Sequence, residues 1–343
     1  MGIQTHFNKF HDKIKLGRKD DAYRKARERD DSIKGEVSSA FAQAGYPVVN
    51  DFIQGSLGTH TGIVPLSGDY DIDRAIVIED DTAPGNPIAP KKNTLDVLQA
   101  RGFKNAKIKK PCVTADYASD NIHIDFIVYK RSGTQHYLAV GKQNSDVNNR
   151  EWSAADPHGL IAWVNDDSSY GADAKAVLEQ FRRLVRYLKR WRDEQFNEIV
   201  AAKVYSIGLT VMVKQCLRWS FSPEGARQDL LALRATVETI LGANYLTPVE
   251  AGHYRISVVL PVQPWRDIFD GSSVDTGTQI YNKLHHLKEK LIEVEGLSDE
   301  REQCRILNKL FGKDFEVPDP PKGGAKLKKR YANEGIVTNS VGA

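Results

Sequence analysis

Residues Val48 to Ile78 read VVNDFIQGSLGTHTGIVPLSGDYDIDRAIVI. Val48 to Ile53 has the apolar, β-branched character of a strand, and Gln54-Gly55-Ser56 breaks it into a turn. After a loop, Asp71-Ile72-Asp73 opens a second strand-like run, Arg74 to Ile78. Side chains alternate faces along a strand, so Asp71 and Asp73 share one face. Two neighbouring carboxylates repel unless a cation lies between them, and oxygen ligands of this kind suit Mg²⁺. Glycine at position 55 lets backbone N–H groups approach a phosphate closely. Asp69-Tyr70-Asp71 is a competing D-x-D register; Asp71/Asp73 is preferred because Asp73 leads directly into the strand. The plainer alternative is a solvated acidic turn, unrelated to any other acid.

A third carboxylate lies in Asn121-Ile122-His123-Ile124-Asp125-Phe126-Ile127-Val128-Tyr129, an apolar run with one acid at its centre. An unpaired Asp is costly to bury in such a strand, and a cation shared with Asp71 and Asp73 removes that cost. A Gly-Ser turn, a D-x-D on the next strand and a lone Asp on a later one resemble the DNA polymerase beta-like nucleotidyltransferases. The Q-G-S, D-I-D and I-D-F forms are most similar to bacterial CD-NTases, relatives of cyclic GMP-AMP synthase and oligoadenylate synthase. The resemblance implies an α+β fold: a mixed-sheet nucleotidyltransferase lobe, a C-terminal helical lobe, and the active site in the cleft between. It implies two Mg²⁺ ions, with Mn²⁺ as a substitute, held by Asp71, Asp73 and Asp125. Gln54, Gly55 and Ser56 would bind the triphosphate. From the helical lobe, Lys189 in R-Y-L-K-R-W and Ser206 in K-V-Y-S-I-G match the family's phosphate-binding Lys and Ser. Read without the resemblance, Lys189 is a solvated helix charge and Ser206 a helix cap.

The resemblance further implies condensation of ATP, GTP or other nucleoside triphosphates into a cyclic di- or trinucleotide for anti-phage (CBASS) signalling. A linear oligoadenylate synthase or an RNA- or tRNA-tailing enzyme is the alternative. In many CD-NTase systems a ubiquitin-ligase-like partner joins the C-terminus to another molecule; here the chain ends in small residues, Thr338 to Ala343.

Composition sets outer bounds. The 343 residues are 41% hydrophobic and 27% charged, as in globular proteins, and are enough for two domains. No apolar run reaches membrane-spanning length, and the start lacks a signal-peptide core, so a cytoplasmic enzyme without a membrane partner is expected. A net charge of +3 calls for no nucleic-acid partner. Cys112, Cys216 and Cys304 are scattered without zinc spacing.

Along the chain, residues 5–44 predict one or two helices with a narrow stripe of Phe7, Phe10, Ile14, Ile33, Val37 and Phe41, resembling the family's N-terminal spine. Arg24 to Asp31 reads as a solvated face. A loop at 80–92, a helix at 94–101, strands at 112–117 and 121–129 joined by a turn at 118–120, and a polar segment at 130–149 with a strand near 136–140 follow. After Asp156-Pro157 the period becomes helical. Val177, Phe181, Leu184, Leu188 and Trp191 form one face, with Arg182, Arg183, Arg186, Lys189, Arg190 and Arg192 read mostly as solvated. Helices at 203–219, 226–241, about 280–294 and 300–311 are expected, with an extended stretch at 251–265. His285-His286 reads as packing or solvated. The domains are 1–165 (nucleotidyltransferase core with spine helix), 166–315 (helical lobe) and 316–343 (flexible tail), the tail containing a Pro/Gly linker at 317–324 and a basic cluster at 326–330.

Overall fold

The computed structural model describes residues 2–16, 21–66, 70–117 and 122–320. The competing register at Asp69, the turn at 118–120, the basic cluster and the C-terminal residues lie outside these. Helices α1 (Ile3–Ile14) and α2 (Asp21–Gln43) precede strand β1 (Val48–Ile53), the single turn α3 (Gly55–Gly58) and strand β2 (Tyr70–Glu79). Helix α4 (Ile88–Ala100), β3 (Lys107–Ile108), β4 (Val113–Tyr117), β5 (Ile122–Ser132), β6 (Gln135–Val140) and β7 (Glu151–Ala155) complete a seven-stranded sheet. Then come α5 (Pro157–Asn165), α6 (Ala174–Gln195), α7 (Glu198–Ala201), α8 (Ser206–Cys216), α9 (Asp229–Gly242), the hairpin β8 (Leu246–Glu250) and β9 (His253–Ile256), α10 (Val274–Gly296) and α11 (Glu300–Phe311). This is the α+β architecture expected: a mixed sheet followed by helices.

Several local readings change. Helix α4 starts at Ile88, inside the stretch read as loop, because a proline such as Pro90 is tolerated in a first helical turn. The polar segment after 130 is largely strand: β5 runs on to Ser132 and turns at Gly133 (φ 59°) into β6, and β7 pairs beyond it. Asp156 caps α5 by accepting from the Gly159 N–H at 2.7 Å. His285 packs on Tyr281, ring centroids 4.4 Å apart.

In the sheet, β2 and β5 run parallel and all other pairings are antiparallel. Alternation sends Ile72, Ile76, Ile78, Ile124, Phe126 and Val128 into the core beneath α2 and α4. On the other face, Ala75, Val77, Ile127 and Tyr129 form a smaller core. The odd-numbered Asp71, Asp73 and Asp125 share that second face. Arg74, among the apolar positions of the first face, is almost fully buried. Its Nε donates to both carboxylate oxygens of fully buried Asp30, at 3.0 and 3.1 Å, and further nitrogens bind Asp31 and Asp51. The charged face expected around Arg24 to Asp31 is therefore partly an ion-pair contact with the sheet rather than solvated.

The helical lobe is centred on α6. Phe7, Phe10 and Ile14 of α1 share its core with Tyr187, Trp191, Phe311 and Phe315. Helix α1 thus packs with the second lobe, while Ile33, Val37 and Phe41 of α2 pack on the sheet. Buried Asp229 accepts from Arg183 Nε at 2.7 Å and the Tyr187 hydroxyl at 2.9 Å. Four of the bases of α6 are not solvated. Arg183, Arg186, Lys189 and Arg190 are buried because neighbouring helices cover one side of α6 and residues 60–64 cover another. The reading of 317–324 as a linker meets a fixed start: Val317 packs on the core, and the Pro318 carbonyl accepts from Arg301 Nε at 3.1 Å.

Candidate active site

Parallel pairing of β2 with β5 places Asp73 opposite Asp125 and Asp71 opposite His123. One ligand atom from each of Asp71, His123 and Asp125 lies within 4.8 Å of the others. Asp73 turns toward the Gly-Ser turn. Its Oδ2 is 1.9 Å from where a Cβ on residue 55 would sit, and Gly55 has φ 60°. Glycine at 55 is thus required both by its left-handed backbone and by the carboxylate packed on its Cα. The Gln54 N–H donates to the Asp73 carbonyl at 3.0 Å, binding turn to strand.

The electrostatics follow from crowding. Burial, then the Asp71 and Asp125 charges, push Asp73 up to about 7. Asp71 opens toward solvent, yet desolvation of its carboxyl and the Asp125 charge raise its pKa as well. Burial also acts to raise Asp125, but the polar groups of His123 and Thr114 beside it and the Lys109 charge outweigh it and hold Asp125 below the usual range. The Asp125 carboxylate beside it raises His123 to about 9, against the opposing effect of burial. Asp125 Oδ1 is buried with no donor aligned to it, although His123 Nε2 is 3.2 Å away and Lys109 Nζ 3.8 Å. An orphaned buried oxygen among carboxylates whose charges are disfavoured is what a divalent cation would satisfy, and the donor set fits one.

Other residues expected here have defined partners. The Gln54 amide oxygen accepts from the buried Tyr129 hydroxyl at 3.1 Å, so this side chain braces the turn against the sheet. Lys189 donates to the Thr61 carbonyl at 3.0 Å and the Thr61 hydroxyl at 3.1 Å. Thr61 contacts the Thr59 hydroxyl at 2.9 Å, which bonds the Gly55 carbonyl at 2.9 Å. A polar chain thereby runs from α6 to the Gly-Ser turn. Arg186 and Arg190 grip the same loop through the carbonyls of His60, Gly62 and Val64. Burial, with Arg192 and Arg186 nearby, lowers Lys189 to about 7, while Asp73 pulls the other way. Ser206 opens α8, and its hydroxyl accepts from Arg192 Nη1 at 2.7 Å. Lys189 is therefore neither solvated nor free, and Ser206 is the first residue of α8 rather than its cap, which is Tyr205.

Sequence reasoning passed over His123, Thr114 and Lys109. Period two along I-H-I-D already puts His123 on the face of Asp125; Thr114 arrives only through pairing of β4 with β5, and Lys109 through β3, which it follows and which pairs with β4. A cavity of about 540 Å³, lined by Arg131, His136, Asp156 and His158, lies elsewhere on the sheet. It begins six residues beyond Asp125 along β5, or about 20 Å at strand spacing.

Residues 49–129, which contain all three acids and the Gly-Ser turn, match the family described as cyclic GMP-AMP synthase DncV-like, nucleotidyltransferase domain. A cyclic GMP-AMP synthase of Escherichia albertii is 28% identical over 179 residues, which cover 50% of this chain and 38% of that relative. The Bradyrhizobium diazoefficiens CD-NTase CdnG, solved in complex with GTP, superposes with a TM-score of 0.68 at 15% identity, covering 92% of this chain and 97% of that one. Vibrio cholerae DncV, described as a cyclic AMP-GMP synthase, gives 0.60 at 16% identity over 92% and 88%. These likenesses extend the shared fold beyond residues 49–129 through the helical lobe. Among the described residues, no helix is long and apolar enough to cross a membrane.

Proposed function

We propose that this chain is a metal-dependent nucleotidyltransferase that condenses nucleoside triphosphates into a cyclic di- or trinucleotide, releases pyrophosphate, and serves anti-phage (CBASS) signalling. The observation that carries the reading is the register of β2 on β5, which sets Asp73 beside Asp125 and Asp71 on the same face, against the Gly55-Ser56 turn. Asp71, Asp73 and Asp125 would hold two Mg²⁺ ions, or Mn²⁺. When bound, these supply Lewis-acid activation of a ribose hydroxyl and neutralise charge on the leaving pyrophosphate. Gly55 and Ser56 bind and align the triphosphate, so that attack at the α-phosphorus is in line. Lys189 and Arg186 hold the loop behind that turn, and Lys189 reaches the phosphates by exchanging its Thr61 bonds for phosphate oxygens. Ser206 presents its hydroxyl from across the cleft, oriented by Arg192.

ATP and GTP are the expected substrates; the related CdnC has been solved with ATP and CdnG in complex with GTP. The C-terminal attachment by a ubiquitin-ligase-like partner rests on residues outside those described. CdnC has been solved with a HORMA protein, a different kind of partner.

The test incubates purified protein with each labelled nucleoside triphosphate and Mg²⁺, with and without RNA, and resolves phosphatase-resistant products by mass. A cyclic product absent from Asp71→Asn/Asp73→Asn is expected. A persistent linear ladder or an extended RNA supports the tailing or oligoadenylate alternative. Product from the double variant at the wild-type rate overturns the metal-centred reading.

A further inference from the structure

We infer that His123 is a nitrogen ligand of the cation site, so that the site is not built from carboxylates alone. The inference rests on the metal-centred reading above and adds a ligand that this reading does not use. On β5, His123 lies two residues before Asp125 and therefore on the same face, opposite Asp71 of β2. Its ring is fixed from behind: Nδ1 bonds the Asp116 carboxylate from the neighbouring strand β4, where Asp116 is the register partner of His123. With Nδ1 held by Asp116, Nε2 faces the cluster, where a cation would take the place of its proton. Nε2 lies 3.2 Å from Asp125 Oδ1, the buried oxygen with no aligned donor. Carboxylate, imidazole and cation in line is the arrangement by which proteins fix the tautomer and raise the basicity of a metal-bound histidine.

Two other groups touch Nε2: the Thr114 hydroxyl at 2.7 Å and Lys109 Nζ at 3.3 Å. Both can yield. Thr114 is buried and would have to turn its hydroxyl-bearing side chain away, whereas Lys109 is half-exposed on a flexible stem. An entering cation would displace the Nε2 proton together with these partners. An imidazole among oxygen ligands disfavours Mg²⁺, which demands hard oxygen donors, relative to transition ions that accept nitrogen. The site is thus expected to discriminate less strongly for Mg²⁺ than an all-carboxylate one.

The test reads the ligand directly. The intact protein is titrated with MnCl₂ alone, then with inorganic tripolyphosphate added, since neither probe contains nitrogen. Electron spin-echo modulation then reports any ¹⁴N bonded to the ion. The wild type should show imidazole ¹⁴N coupling. His123→Gln should bind Mn²⁺ without that coupling, and Asp116→Asn should keep the coupling but weaken Mn²⁺ about 10-fold or more, the usual effect of removing an outer partner. Bound Mn²⁺ lost in Asp71→Asn/Asp73→Asn but lacking ¹⁴N coupling in the wild type overturns the histidine ligand and leaves the carboxylate site standing. Failure of the wild type to bind Mn²⁺ under either condition overturns both.

Discussion

Asp73→Asn should stabilise the cation-free protein above about pH 4, and most fully from about pH 7 upward. The carboxyl rises from an ordinary value of 3.8 to about 7 because of burial and of its neighbours Asp71 and Asp125. Its folded pKa thus exceeds its unfolded one, so the proton binds the folded chain more tightly. The stability that this provides is fully present below about pH 4 and is lost as pH rises through about 7. At 1.36 kcal/mol per pH unit, the ionised carboxylate costs at most about 4 kcal/mol by pH 8. Asparagine keeps the shape packed against Gly55 and discards the charge, which also relieves Asp71. Melts in EDTA should place the variant above the wild type at pH 8, by up to that amount, and level with it at pH 4. Adding Mg²⁺ should reverse the order, because a cation stabilises the folded form by mass action and only the wild type has its full ligand set. A variant equal to or less stable than the wild type at pH 8 in EDTA would refute the claim that these carboxylates are crowded at a folding cost.

Three further outcomes follow from particular contacts. Gly55→Ala pushes a methyl into Asp73 and strains a backbone at φ 60°, so product formation should fall about 100-fold or more, as for other 1 Å misplacements, measured as initial rate at saturating nucleotide. Lys189→Met strips the Thr61 carbonyl of its buried donor; a loss of about 1–3 kcal/mol in denaturant unfolding is expected, together with a raised KM for triphosphate. An unchanged KM would remove Lys189 from the phosphate site. Asp30→Ala leaves buried Arg74 without its main partner and should cost about 3–5 kcal/mol in the same unfolding assay, far more than a solvated helix acid would.

Short-range pattern decided much of this molecule. Strand β1, the glycine turn after it and the placement of Asp71, Asp73 and Asp125 on strands are legible because period two and glycine's backbone freedom are local properties. The apolar stripes of α6, α10 and α11 are legible for the same reason. Partners are not local. That β2 and β5 lie side by side and parallel, joining Asp73 to Asp125 across 52 residues, depends on chain topology. So do the exceptions to the expected solvated charges: Asp30, Arg186 and Lys189 look like surface residues in sequence, and become buried because a sheet or a loop carrying bare carbonyls packs over them. His123 stood in view two residues from Asp125, but only strand pairing brought Asp116 behind its ring and Asp71 in front of it. A sequence fixes which face a side chain takes along its own element; the tertiary structure decides what that face meets, and so whether a charge is solvated, paired or left for a ligand.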